Sequence, residues 1–572
     1  MLIYLSLTTF NQTLHLFTKI FFTMKRIILL FVTTVCVLSV FSQKQNTVTT
    51  TITKPKLVVG IVVDQMRWDY LYRFNDLYKP NGGFKRLLGE GFSCDNTFVP
   101  YLPTVTACGH TCVYTGSVPA IHGITGNNWF DNNLQRGVYC VEDKTVQAVG
   151  SNAGEAGQMS PNNVLVTTIT DELRLSNNFQ SKVIGISMKD RGAIIPAGHS
   201  ANAAYWYDSK SGSFITSTYY MKELPEWMKT FNARKLVDTF YARNWNTELA
   251  SNVYIKYCDG DNNDYESKPF GKDALTMPYN LQQFQGKDYS KIASTPFAND
   301  LLAELAKATI KSEKLGTQDV TDFLAVSFSS PDYVGHSFGP NSWELLDTYI
   351  RLDITLGNLF DYLDKTIGKN QYTVFLTADH AGAHIPEFLQ KHNIPGGRWD
   401  DGEIKKDLND YSKKQFSLSN LINAVMEHDV YLNHPLIDSL KLNESDIKKS
   451  LTQYLLKKEV VLNVVDKHHA AEATIPAKIR EMVVNGYNPA RSGDLQLIMK
   501  TGVMDAGKTG MSHGVWNPYD SHIPLVFYGW GIKHGSLNRE TYMTDISATV
   551  ASLLHIQMPS GCIGKVIPEV MK

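Results

Sequence analysis

Six residues with metal-ligand chemistry stand at or beyond apolar runs: Asp64, Asp332, His336, Asp379, His380 and His513. Three carboxylates and three imidazoles form a mixed oxygen and nitrogen donor set. Such a set suits zinc, and about six protein ligands hold two such ions with positions left open for a reactant. Two ions about 3.5–4 Å apart can clamp the attacking and leaving oxygens of an in-line phosphoryl displacement. Taken singly, each residue has a plain structural explanation. Together they form a pattern: three acid-terminated runs, with histidine four residues beyond Asp332 and one beyond Asp379.

Such chemistry needs a nucleophile. The stretch Tyr101-Leu102-Pro103-Thr104-Val105-Thr106-Ala107-Cys108-Gly109-His110 offers two threonine hydroxyls before a run that can start a helix. Backbone N–H groups and the helix dipole favour an anion at that position. Read locally, a threonine at a helix start is a cap, and only the distant acids and imidazoles give it another meaning. Asn127, in a Gly- and Pro-punctuated stretch over 113–129, offers a neutral amide to an oxyanion or else serves a turn. Lys189 and Arg191 bracket Asp190 after another apolar run, which alone describes a solvated turn. Asp259 to Asp264 suggests a calcium loop. It does not qualify, because Asp264 stands where that loop needs Gly and Phe270 where it needs Glu. Gly510-Met511-Ser512-His513-Gly514 matches a nucleophile elbow, but the run before it, 505–509, does not read as a strand.

These residues need elements to hold them. A Val- and Ile-rich run within 56–64 reads as a strand buried on both faces, and runs within 182–188, 323–332, 372–380 and 523–529 read as further strands. A helix is expected over 344–364, with apolar residues at three-and-four spacing, and helical structure over 67–88, interrupted at 80–83. The expectation is an α/β fold in which a central, mostly parallel sheet is flanked by helices, with functional groups at the strands' carboxyl ends. The core is assigned to 55–200, 319–385 and 500–572. An aromatic-rich insertion is expected over 201–318 and a second, mostly helical one over 386–499, the two forming a cap.

The 572 residues are 43% hydrophobic and 19% charged, a folded globular composition. The formal net charge of −1 argues against a nucleic-acid partner held by bulk electrostatics. Residues 1–42 read as a signal region with its true start at Met24: Met24-Lys25-Arg26 precedes an apolar run, Ile27 to Val40, and Ser39, Ser42 and Gln43 offer a cleavage region. A Thr-rich linker is expected over 47–53. After cleavage the chain is expected off the membrane, periplasmic or secreted. Six cysteines remain beyond Cys36, an even number that permits disulfides without choosing among them.

The chain resembles the alkaline phosphatase superfamily, and within it the PafA-type phosphate-irrepressible alkaline phosphatases. The resemblance rests on Val63-Asp64-Gln65-Met66-Arg67, Pro103 to His110, Gly123 to Asn127, Lys189-Asp190-Arg191, Ser330 to His336, Thr377 to Gly382 and Ser512-His513-Gly514. It implies a monomeric enzyme with two zinc ions acting on small-molecule phosphate monoesters. It also implies one zinc on Asp332, His336 and His513, and the other on Asp64, Asp379 and His380 with Thr106. Thr106 rather than Thr104 becomes the nucleophile and forms a phosphothreonine. Asn127, Lys189 and Arg191 become contacts to phosphoryl oxygens. Physically, two cations suit a dianionic monoester better than a diester, which carries less charge.

Overall fold

The run Leu57–Val63 is a strand with every residue buried, as an apolar stretch without polar alternation requires. In the computed structural model, which describes residues 3–42, 53–152 and 154–572, it lies near the middle of a ten-stranded sheet. The central strands run in the order Tyr372–Thr377, Leu57–Val63, Asp322–Phe328, Val183–Ser187, Ala203–Asp208, all parallel. Leu525–Gly529 joins antiparallel beside Tyr372–Thr377. The register pairs Val62 with Ser327 and Thr377, and Ser327 with Ser187, so the strands end level and the residues that follow them share one edge. Helices Trp343–Leu363 and Phe297–Glu313 bury Leu345, Leu346, Tyr349, Leu352, Leu356 and Leu301, Leu302, Leu305 in the core. Each fully buried aliphatic side chain contributes about 1.5–3 kcal/mol. The five expected strands and the long helix are all present.

Four expectations need correction. The stretch 201–318 does not leave the sheet at once: Ala203–Asp208 and Ser213–Ser217 are two of its strands. Their aromatic residues Tyr205, Trp206 and Tyr207 are buried strand positions, consistent with aromatic preference for sheets. The stretch 386–499 carries the expected helices, such as Asp401–Phe416 and Glu444–Leu455, but is not helical alone. It holds a four-stranded antiparallel sheet, Ile422–Met426, Asp429–Leu432, Leu495–Met499 and Val461–Asp466, with its own apolar cluster around Leu408, Val430, Leu451 and Leu497. Residues 67–88 break into Tyr70–Arg73, Asn75–Leu77 and Gly83–Glu90. The Gly- and Pro-punctuated stretch 113–129, which reads as loop, also holds helical turns: helix Thr106–Thr115 ends in it and Pro119–His122 follows.

The six cysteines beyond the expected signal are all free thiols. Residues 1–53 form a separate unit containing a helix, Ile3–Ser42. Among the described residues, no helix is long and apolar enough to cross a membrane. Gln43 and most of the Thr-rich stretch, 47–52, lie outside the described residues.

Candidate active site

Thr106 is the first residue of the buried helix Thr106–Thr115. The N-cap position belongs to Val105, whose side chain makes no capping bond, so Thr106 is not the cap a local reading assigns. A Cβ on Gly109 would collide with the Asp379 carbonyl oxygen, so glycine lets the helix run against the end of strand Tyr372–Thr377. Gly116, in left-handed geometry, ends the helix. The Thr106 hydroxyl then lies 3.4 Å from His380 Nε2 and 3.5 Å from Lys189 Nζ.

The three carboxylates arrive from three neighbouring strand ends. Lys189 Nζ lies 2.6 Å from Asp332 Oδ2 and 3.1 Å from Asp64 Oδ2. Ser327 donates to Asp64 Oδ1 at 2.9 Å. Gln65 ties the other two together: its backbone N–H donates to Asp379 Oδ1 at 3.0 Å and its Nε2 to Asp332 Oδ1 at 2.7 Å. Gln65 carries no sequence signal of such a role, since a glutamine beside an acid announces no chemistry. Its left-handed backbone, φ 63°, makes both contacts possible.

The imidazoles share one arrangement. His336 Nδ1–H donates to the Met511 carbonyl at 2.7 Å, His380 to Ala381 at 2.8 Å and His513 to Thr104 at 2.8 Å. That fixes the tautomer and turns each Nε2 lone pair inward, the outer-shell arrangement that metal-binding histidines use. His110, also given no role, donates Nδ1–H to the Thr106 carbonyl at 3.0 Å and points Nε2 at Asp64, 3.6 Å away. Burial lowers His380 to about 4 and pushes His513 well below the usual range, so both are neutral. Burial raises Asp379, and Asp64 adds to the effect. Burial would also raise Asp332, but Lys189 outweighs it and holds that carboxyl well below the ordinary value.

At this edge, potential ligand atoms within 4.8 Å of one another form two groups, Asp332 with His380 and His513, and Asp64 with His110 and Asp379; a third, His434 with Glu444 and Asp494, lies within 386–499. His336 Nε2 lies 3.2 Å from Asp332 Oδ1, beside the first group. His380 Nε2 lies 3.4 Å from Asp379 Oδ2, so it stands between the two. Asp379 Oδ2 and His110 Nε2 are buried without a hydrogen-bond partner, and Asp64 Oδ2 faces only the Lys189 ammonium. An unpartnered buried carboxylate oxygen, with one lysine set among three acids, fits a site built for divalent cations.

Asn127 and Arg191 sit at the rim, both partly exposed. Asn127 Oδ1 accepts the Ala107 N–H at 3.0 Å, which leaves the amide NH2 to donate outward. Arg191 donates to the Tyr139 hydroxyl at 3.1 Å, and that hydroxyl donates to Asp190 at 2.6 Å. Thus all ten sequence-selected residues have a place at or beside one strand edge.

The description "Type I phosphodiesterase / nucleotide pyrophosphatase" matches residues 58–522 as a family. The alkaline phosphatase PhoV of Synechococcus elongatus is 52% identical, over 91% of this chain and 94% of its own. The alkaline phosphatase PafA of Elizabethkingia meningoseptica is 48% identical, over 93% of this chain and 96% of its own. A crystal structure of wild-type PafA matches with a TM-score of 0.89 at 47% identity, covering 91% of this chain and 100% of that one.

Proposed function

Because the chain belongs to the type I phosphodiesterase / nucleotide pyrophosphatase family, and within it to the PafA-type alkaline phosphatases, we propose that it is an exported two-zinc enzyme that hydrolyses phosphate monoesters through phospho-Thr106. It is an alkaline phosphatase, a hydrolase of phosphate monoesters. The zinc ions, the intermediate, the residue roles and export are our reading. The inward-turned Nε2 atoms of His336, His380 and His513, beside the buried carboxylates of Asp64 and Asp379 and the unpartnered Asp379 Oδ2, carry it.

Asp332, His336 and His513 would hold one ion, and Asp64, Asp379 and His380 the other, next to Thr106. When bound, the ions supply Lewis-acid charge that lowers the pKa of a hydroxyl or water and stabilises a leaving oxygen. Thr106 Oγ then forms a bond to phosphorus as the bond to the ester oxygen breaks, and the departing alkoxide takes up a proton. Water attacks the phosphothreonine, the P–Oγ bond breaks and orthophosphate leaves. Lys189, Arg191 and the Asn127 amide donate to the equatorial oxygens, where charge resides in a loose transition state. Gln65 and the carbonyls on Nδ1 keep carboxylates and rings oriented through both steps. The basic start at Met24 and the apolar run to Val40 support export to the periplasm or beyond. We take the enzyme to act as a monomer.

A rapidly quenched reaction with a phosphorus-labelled monoester tests the intermediate. Label is expected on Thr106, and Thr106→Ala is expected to lose it along with about a thousandfold or more of turnover. Label on another residue, or undiminished turnover in the variant, would overturn the reading.

A further inference from the structure

A side chain from the stretch 386–499 contacts a residue of the site. Strands Ile422–Met426 and Asp429–Leu432 are joined by Glu427 and His428, both left-handed at φ 52° and 67°. A turn of this kind ordinarily takes Asn or Gly. Here two larger residues hold it, and the His428 N–H is anchored on Asp401 Oδ2 at 3.3 Å. Strain retained against residue preference points to a use for the side chain it presents. Glu427 Oε1 accepts the backbone N–H of Asn127 at 2.9 Å. Its Oε2 is buried without a partner and would collide with a Cβ on Gly126, so the glycine before Asn127 makes room for this carboxyl. The hairpin is also seated locally: Phe130 packs on Tyr431 with ring centroids 6.1 Å apart.

We propose that Glu427 is a positioning residue that fixes Asn127 for its contact with the phosphoryl group. The proposal rests on the reading of Asn127 as a donor to a phosphoryl oxygen. Glu427 holds the Asn127 backbone from one side, and the Ala107 N–H holds its Oδ1 from the other. The amide NH2 is left with one direction to face. Burial, with Asp401 and Asp429 nearby, raises Glu427 to about 8, so its protonated form is accessible and glutamine is close in shape and hydrogen bonding.

The test is a double-mutant cycle on the full chain with p-nitrophenyl phosphate. Glu427→Met fills the space without an acceptor, and is expected to lower kcat/KM about ten- to a hundredfold while keeping the thermal midpoint. Glu427→Gln is expected to recover most of that loss. In an Asn127→Ala background, Glu427→Met is expected to cost little more, because the group it positions is gone. Full additivity, or no loss in Glu427→Met, overturns the proposal while leaving the donor reading standing. No loss in Asn127→Ala alone overturns the donor reading, and the proposal with it. A Glu427→Gln loss equal to that of Glu427→Met also overturns it.

Discussion

Lys189 is a buried cation shared between Asp332, Asp64 and the Thr106 hydroxyl. Burial opposes its charge, but the two carboxylates more than compensate and raise its pKa, so it stays protonated at alkaline pH. On the proposed reading it would supply, together with Arg191, positive charge where a monoester bears two negative charges and a diester one. Removing both cations as Lys189→Ala/Arg191→Ala should cost monoester kcat/KM about 10²–10³-fold or more and diester turnover distinctly less. Parallel initial-rate measurements on a matched monoester and diester check this, and equal losses would contradict the charge argument. At this scale the sequence exposed the ionisable residues, because an acid or imidazole at a strand end stands out. Gln65 and His110 stayed hidden, since their roles come from contacts with Asp332, Asp379 and Asp64 that no local pattern announces.

Elements near the site depend on similar pairings. Helix Ile169–Leu175 starts with a capping box between Thr168 and Asp171, and His199 hydrogen-bonds Asp171 at 3.0 Å. Burial would raise Asp171, but His199 and backbone N–H groups outweigh it and bring the carboxyl to about 2. Its contribution is therefore present above its unfolded value of 3.8 and fades as pH falls toward about 2. The hydrogen bond to Asp171 raises His199 above 6.5, so its share is complete below that pH and lost as pH rises through the folded value. A His199→Ala variant should be less stable than the parent by about 1–2 kcal/mol near pH 5–6, with the gap narrowing toward pH 9. Denaturant melts at the two ends check it, and a constant gap would show that the pair does not act through charge. The main strands were legible because Leu57–Val63 and its neighbours are continuous apolar runs. The sheet within 386–499 was not, because strands such as Val461–Asp466 are partly exposed and interrupted by a polar residue, Asn463.

At the scale of the whole molecule, the site joins residues from Asp64 to His513 across the sheet edge. Three carboxylates and inward-facing imidazoles gathered from distant segments repel or desolvate one another unless cations bind them. Ions that bind only the folded chain add stability by mass action, about 2.7 kcal/mol at a hundredfold excess over Kd. The most direct measurement determines metal content and phosphate-monoester hydrolysis on the same sample, before and after chelation and after zinc is returned. A two-zinc enzyme is expected to carry about two zinc ions per chain, to lose hydrolysis with the metal and to recover it with zinc. Hydrolysis that persists at full rate in metal-free protein would contradict the two-zinc reading.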